Sequence, residues 1–236
     1  MEGTGNDFII IDDNIDLTTE QIQLLSNRNY GIGCDQLIIM DRNSDSVNYI
    51  RIFNSNGSQA FSCGNGIRSV GLLMKILYKQ DKAKIQVVGG NLTYTKIKTL
   101  YNDTSGLVYA GLGQYNLTQT NDGSIVEIGN KHLIIEIDKI ENSDIAYAKH
   151  LSEKLDLNLS YVALSNSKVV ALTYERGVGL TKACGSAAAA IHITRQKNKE
   201  TVVCFSNSGE TILAGGKKNI YIVADARLVF SGTFYL

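Results

Sequence analysis

The sequence predicts an α+β protein of two pseudo-symmetric domains, each a mostly antiparallel β-sheet or barrel wrapped around a central helix. Three observations predict it. Short Val/Ile/Tyr-rich runs bounded by Asn, Gly, Asp and Ser recur along the whole chain, the pattern of strands and turns. Helical patterns are few. Two of those few are apolar nearly all round, as a buried helix must be, and each is preceded by Cys-Gly, at Cys63-Gly64 and again at Cys184-Gly185.

The elements follow in order. Runs 8–11, 36–40, 47–53, 84–88, 92–98 and 107–112 form a first group of strands. Runs 125–128, 132–137, 168–174, 201–205, 211–214, 219–223 and 227–234 form a second. Helices are predicted over 18–26, 65–79, 143–155 and 186–197. In the second of these Ile67, Val70, Met74 and Leu77 recur at helical spacing, while Leu72, Leu73, Ile76 and Tyr78 fill the other faces. The run from Ala187 to Ile193 reads the same way. Gly31-Ile32-Gly33 and Gly177-Val178-Gly179 add a glycine-rich turn to each half. Gly, Asn and Thr between Gly113 and Thr120 separate the two strand groups. The expected domains are therefore 1–115 and 116–225, with a C-terminal strand at 226–236 packing back on the first.

Composition narrows the function. An apolar fraction of 44% with 19% charged residues is that of a folded globular protein. Lys plus Arg and Asp plus Glu are 23 each, so no clustered positive charge points to nucleic acid. The densest basic stretch, 195–199, reads as a solvated helix end. No apolar run approaches the ~20 residues that span a bilayer, and the first residues lack a signal-like pattern. The expected setting is cytoplasmic, where Cys34, Cys63, Cys184 and Cys204 are reduced thiols and not a disulfide framework. No C-x-x-C spacing and only three histidines argue against a metal site. The chain has no proline and no tryptophan, so its 22 glycines and many Asn and Ser must carry the turns.

The two Cys-Gly helix starts carry the chemistry. A helix N-terminus offers unpaired N–H groups and a partial positive charge, which bind carboxylates and favour a thiolate. The following glycine lets a ligand approach the main chain. Two such thiols facing one another across a cleft suit racemisation. One thiolate would remove the Cα proton and the opposing thiol would return a proton to the other face, with no cofactor required. A lone cysteine before a buried helix is more often a small core residue; it is the repetition in both halves that weighs against that reading here.

The motifs themselves resemble a known family. Gly5-Asn6-Asp7-Phe8, Gly31-Ile32-Gly33-Cys34-Asp35-Gln36, Phe53-Asn54-Ser55-Asn56-Gly57-Ser58 and Cys63-Gly64-Asn65-Gly66-Ile67-Arg68 occur in order. Tyr174-Glu175-Arg176-Gly177-Val178-Gly179 and Ala183-Cys184-Gly185-Ser186 follow. Together they closely resemble the diaminopimelate epimerases. The resemblance implies a PLP-independent interconversion of LL- and meso-diaminopimelate, two domains closing over that small-molecule substrate, and a homodimer. It makes Cys63 and Cys184 the acid/base pair. Gly64, Asn65, Gly185 and Ser186 would hold the carboxylate at the reacting centre, with Asn6 and Gln36 lining the same pocket. Arg176 would clamp the distal carboxylate, and Asn54, Asn130, Asn158 and Glu175 would serve the distal amine. His132 and Glu175 would tune the thiols. His150 reads as exposed, His192 as core, and Cys34 and Cys204 as structural.

The chain also departs from the family pattern. It is short, and only Met1 and Glu2 precede Gly3, so the first strand is expected to be truncated and the first sheet weakened. Lys131 stands where proline is usual, Leu180 where Glu is frequent, and Ser186 where Thr is frequent. Three other readings stay open on the residues alone: an epimerase or racemase of another amino acid, a non-catalytic small-molecule binder on the same scaffold, and a redox protein joining Cys63 to Cys184.

Overall fold

The computed structural model describes residues 1–41, 47–165, 168–195 and 199–235. The chain divides into two units, one of residues 1–110 with the residues from 224 onwards, the other of residues 111–223.

The first unit begins with β1 (Glu2–Gly3), β2 (Asn6–Ile11), α1 (Thr19–Ser26), β3 (Gln36–Asp41), β4 (Asn48–Asn54) and β5 (Gln59–Ala60). It continues with α2 (Gly64–Tyr78), β6 (Lys82–Val87), β7 (Leu92–Asn102) and β8 (Ser105–Gly113). β2 and β3 run parallel, as the intervening helix requires, and so do β4 and β6 across α2. The pairs β1–β2, β3–β4, β4–β5, β6–β7 and β7–β8 are antiparallel. α2 packs on β1, β2, β6 and β7. It is buried without a break from Asn65 to Met74, which is why its sequence is apolar on every face. Gly71 allows the close approach to β7, since a Cβ there would lie 2.7 Å from Thr95. α1 covers the sheet with a separate core of Leu25, Cys34, Leu37 and Ile39. Its start is fixed by a capping box in which Thr18 and Gln21 satisfy each other's backbone.

The second unit holds β9 (Asn116–Thr120), β10 (Gly123–Ile128), β11 (Asn130–Glu136), α3 (Ser143–Leu155), β12 (Asn158–Ser165) and β13 (Lys168–Glu175). β14 (Gly179–Leu180), α4 (Gly185–Thr194), β15 (Thr201–Phe205), β16 (Thr211–Gly215) and β17 (Ile220–Arg227) complete the order, β17 running on into the first unit. From β11 onwards the sequence of elements and pairings repeats that of β2 to β8. β11 and β12 are parallel across α3, β13 and β15 parallel across α4, and the rest antiparallel. α4 packs on β10, β11, β12, β15 and β16, and its four consecutive alanines let those strands close around it. α3 packs through Ala148 into a cluster with Leu133, Leu157, Leu159, Tyr161 and Leu172.

The expected α+β class with a sheet wrapped around one helix is present in each unit. Several details differ from the sequence reading. Residues 158–165, which fall in none of the predicted elements, form β12, and 116–120, read as a separator, are β9. Residues 228–235 are not a strand; regular pairing stops at Arg227. β1 is short, but Glu2 pairs with both Asp7 and Arg227, and the Met1 ammonium donates to the Phe8 carbonyl at 3.0 Å, so the sheet edge is secured. The helix expected to reach 197 ends at Thr194. Residues 196–198 of the basic stretch lie outside the described residues; Arg195 itself is mostly buried and pairs with Glu136 at 2.9 Å.

Candidate active site

In both units the candidate cysteine is the N-cap of the central helix. Cys63 has extended backbone (φ −155°, ψ 101°), and its Sγ accepts the Gly66 N–H at 3.3 Å. A Cβ on Gly66 would come within 2.8 Å of the Ile38 side-chain tip and 3.4 Å of Cys63 Sγ, so glycine leaves room beside the thiol. Cys184 caps α4 with the same extended geometry (φ −127°, ψ 116°). Gly64 and Asn65 in one unit and Gly185 and Ser186 in the other are thus the first helical residues, whose N–H groups have no intrahelical acceptor.

Around Cys63 the polar residues form one chain of hydrogen bonds. Asn65 Nδ2 donates to Asn6 Oδ1 at 2.6 Å, and Asn6 Nδ2 donates to Asp35 Oδ2 at 3.2 Å. Asp35 and Asp7 share the Arg28 guanidinium at 2.7–2.8 Å, which holds the Asp7 carboxyl down to about 2. Gln36 and Asn54 face each other across β3 and β4, Gln36 Nε2 donating to Asn54 Oδ1 at 2.9 Å. Asn6, Gln36, Asn54 and Asn65 therefore fall within the Cys63 unit.

Around Cys184 the set is different. Ser186 Oγ lies 3.4 Å from Cys184 Sγ and 2.9 Å from His132 Nε2. His132 is fully buried, and burial alone pushes its pKa down to about 3, so the ring is neutral. Asn158 Nδ2 approaches the same nitrogen at 3.4 Å, while its Oδ1 accepts the Arg176 N–H at 2.8 Å. Glu175 accepts from Thr181 Oγ1 at 2.7 Å and hydrogen-bonds Cys184; burial raises its carboxyl. Burial first, then the adjacent Glu175 charge, push the Cys184 thiol well above its usual range. His132 and Glu175 both belong to the Cys184 surroundings.

Arg176 projects an exposed guanidinium that pairs with Asp156 Oδ2 at 2.9 Å. Asn130 is exposed at the start of β11 and its side chain joins no hydrogen bond among the described residues, so it stands apart from the Cys184 set. His150 is exposed. His192 is core, held by Thr201 Oγ1 and the Gly216 carbonyl, each at 2.9 Å. Cys34 is buried against Ser26, and Cys204 is half-buried near the Gly209 carbonyl. Sequence reasoning gave no role to Asp35 or Arg68; the one signal was a charged Arg68 early in a mostly apolar helix.

Solved structures share the fold. A PhzF-family phenazine biosynthesis protein of Bacillus anthracis superposes with a TM-score of 0.71 at 12% identity, covering 98% of this chain and 95% of that one. A predicted epimerase from Pseudomonas aeruginosa gives 0.70 at 14% identity, with 96% and 94% covered. A probable proline racemase from Agrobacterium radiobacter gives 0.67 at 10%, with 100% and 91% covered. The fold is the one that these racemase, epimerase and PhzF structures share.

Sequence relatives are more specific. The family model described as Diaminopimelate epimerase matches residues 1–112. A diaminopimelate epimerase of Buchnera aphidicola subsp. Acyrthosiphon pisum is 32% identical over 269 residues, covering all of this chain and 95% of the relative. One from Blochmanniella pennsylvanica is 35% identical over 220 residues, 80% of each. The chain belongs to the diaminopimelate epimerase family.

Proposed function

We propose that the chain interconverts LL- and meso-diaminopimelate without a cofactor, with Cys63 and Cys184 as the two proton-transfer groups. The observation that carries this is the recurrence, in a member of this family, of a cysteine N-cap on the buried helix of each of two like-ordered units. One thiolate takes the Cα proton; the other thiol delivers its proton to the opposite face. The configuration inverts, no atoms are gained or lost, and the roles exchange for the reverse reaction. Charge that develops in the carbanion spreads into the α-carboxylate, where helix N-terminal N–H groups at Gly64, Asn65, Gly185 and Ser186 stabilise it.

Asn6 and Gln36 contact the same end of the substrate. Arg176 takes the distal carboxylate bidentately. Its present partner, Asp156, is 81% exposed, so exchanging one carboxylate for another costs little. Asn54, Asn130 and Asn158 serve the distal amine, and Glu175 and His132 tune the thiol of Cys184, His132 through Ser186. No described helix is long and apolar enough to cross a membrane. A cytoplasmic homodimer is part of the proposal, and a sedimentation profile that stays monomeric at micromolar concentration counts against the dimer.

The test is solvent-deuterium incorporation at Cα of both diaminopimelate isomers, without added PLP or metal. Wild type should exchange and epimerise, and Cys63→Ala and Cys184→Ala should each lose epimerisation. No exchange by folded wild type would sink the substrate assignment; epimerisation by either variant would sink the two-thiol mechanism.

A further inference from the structure

Helix α2 buries a cation. Arg68 is 0% exposed in the middle of ten consecutive buried residues, a costly placement for a charge with no carboxylate salt bridge among the described residues. Its Nη2 donates to Thr4 Oγ1 at 2.8 Å and to Asn65 Oδ1 at 2.9 Å, while Nε and Nη1 meet no acceptor among the described residues. Burial lowers its pKa to about 10, which still leaves the guanidinium charged at neutral pH.

Long helical side chains run back toward the N-terminus of their helix, and the contact with Asn65 brings this head group to the first turn, at the Cys63 cap. Of the ionisable groups near enough to act on Arg68, Cys63 is foremost, followed by Asp225 and Glu2. Both of those carboxylates are engaged elsewhere. Glu2 accepts the Gly5 N–H at 2.8 Å and lies 3.7 Å from Arg227, and Asp225 accepts from the Tyr101 hydroxyl at 2.8 Å.

Arg68 also sets the direction of the amide chain. With Asn65 Oδ1 taken by the cation, Asn65 Nδ2 must donate to Asn6, whose own Nδ2 then donates to Asp35. A donor-only group at one end and a carboxylate at the other keep either amide from flipping. The Thr4 hydroxyl bond matters as well, because Thr4 is a β-branched residue at φ 49° in the turn that presents Asn6.

The other half differs at the equivalent position. Five residues after Cys184 the position of Arg68 is filled by Ala189, fully buried, and the charge beside Cys184 is the Glu175 carboxylate. One thiol thus sits by a cation and the other by an anion.

We propose that Arg68 is a positioning residue that holds Cys63 as the thiolate of the resting protein, leaving Cys184 as the protonated partner. The inference rests on the reading of Cys63 as a proton-transfer group, but its test needs no turnover. The rate of Cys63 alkylation by iodoacetamide is followed against pH, by peptide mass spectrometry, in full-length wild type, Arg68→Gln and Arg68→Lys. Arg68→Gln keeps a donor for Asn65 and removes the charge; Arg68→Lys keeps the charge. The Gln variant's midpoint should rise by about one pH unit, so that on the acid limb of the profile, below both midpoints, it alkylates about tenfold more slowly, and the Lys variant should stay within about twofold of wild type. An unchanged profile in folded Arg68→Gln, or a Lys variant displaced as far as Gln, overturns the proposal. If Arg68→Gln does not fold, wild type decides: a Cys63 midpoint above about 7, which leaves the thiol protonated at neutral pH, refutes it, and one below supports it. A chain inactive on diaminopimelate would still give this answer, so the two failures are distinguishable.

Discussion

His132 makes a quantitative prediction about stability. Its ring is fully buried, hydrogen-bonded at Nε2 to Ser186, and unpartnered at Nδ1 among the described residues. In the folded state it stays neutral down to about pH 3, whereas in the unfolded chain it takes up a proton at about 6.5. The unfolded state therefore binds more protons across that interval, and stability falls as pH falls below 6.5. At about 1.36 kcal/mol per pH unit, the loss between pH 7.5 and pH 5.0 comes to about 2 kcal/mol. Glu175 acts in the opposite sense. Its folded carboxyl titrates above 4.5, so it contributes stability that grows as pH falls through that raised value. The readout is therefore a difference. Urea unfolding of wild type and His132→Gln at pH 7.5, 6.5, 5.5 and 5.0 should show the gap between them shifting by about 2 kcal/mol against wild type on acidification. Parallel curves for the two proteins would mean that His132 is protonated in the fold, and would refute the reasoning.

Two further outcomes follow from single contacts. A Cβ at Gly31 would stand 1.9 Å from the Leu24 carbonyl oxygen, so Gly31→Ala should destabilise the first unit by roughly 3 kcal/mol, seen as a lower urea midpoint; an unchanged midpoint would contradict the geometry. Arg176→Lys keeps the backbone bond to Asn158 and loses the planar fork, so KM for diaminopimelate should rise about tenfold with kcat little changed. An unaltered KM would remove Arg176 from the substrate clamp.

Much of the architecture was legible because its signals are local. Helix α3 lies where the periodicity put it, and the two central helices announced themselves by having no polar face, since a helix enclosed by a sheet has no side exposed to water. β12 escaped for the converse reason. It lies between a parallel and an antiparallel neighbour and is buried from Asn158 to Ala163, so the alternation that marks a half-exposed strand is missing. Asn158 and Ser160 interrupt its apolar run, and only the structure shows Ser160 satisfied by Thr173 at 2.9 Å. β9 was hidden by its polar Asn-Leu-Thr-Gln-Thr composition; its strand character comes from pairing with β10. At the candidate site, the cysteines and their helix starts were readable from sequence. The assignment of His132 to the Cys184 set, and the role of Asp35 as the far end of the Asn6 amide chain, depend on pairing between distant segments that no local pattern encodes.

The pairing of Glu2 with Arg227 bears on the order in which the protein can form as it is made. The unit of residues 111–223 is continuous in sequence and has all its strands once that stretch has left the ribosome. The unit that begins earlier in the sequence cannot finish before the other, because the partner of its strand β1 is synthesised only after residues 111–223. Until then β2 has on one side only the two residues of β1, themselves unpaired on their far side, and β2 carries three consecutive isoleucines. The interval between emergence of β2 and arrival of β17 is thus the period in which a nascent chain is most exposed to pairing with the wrong strand.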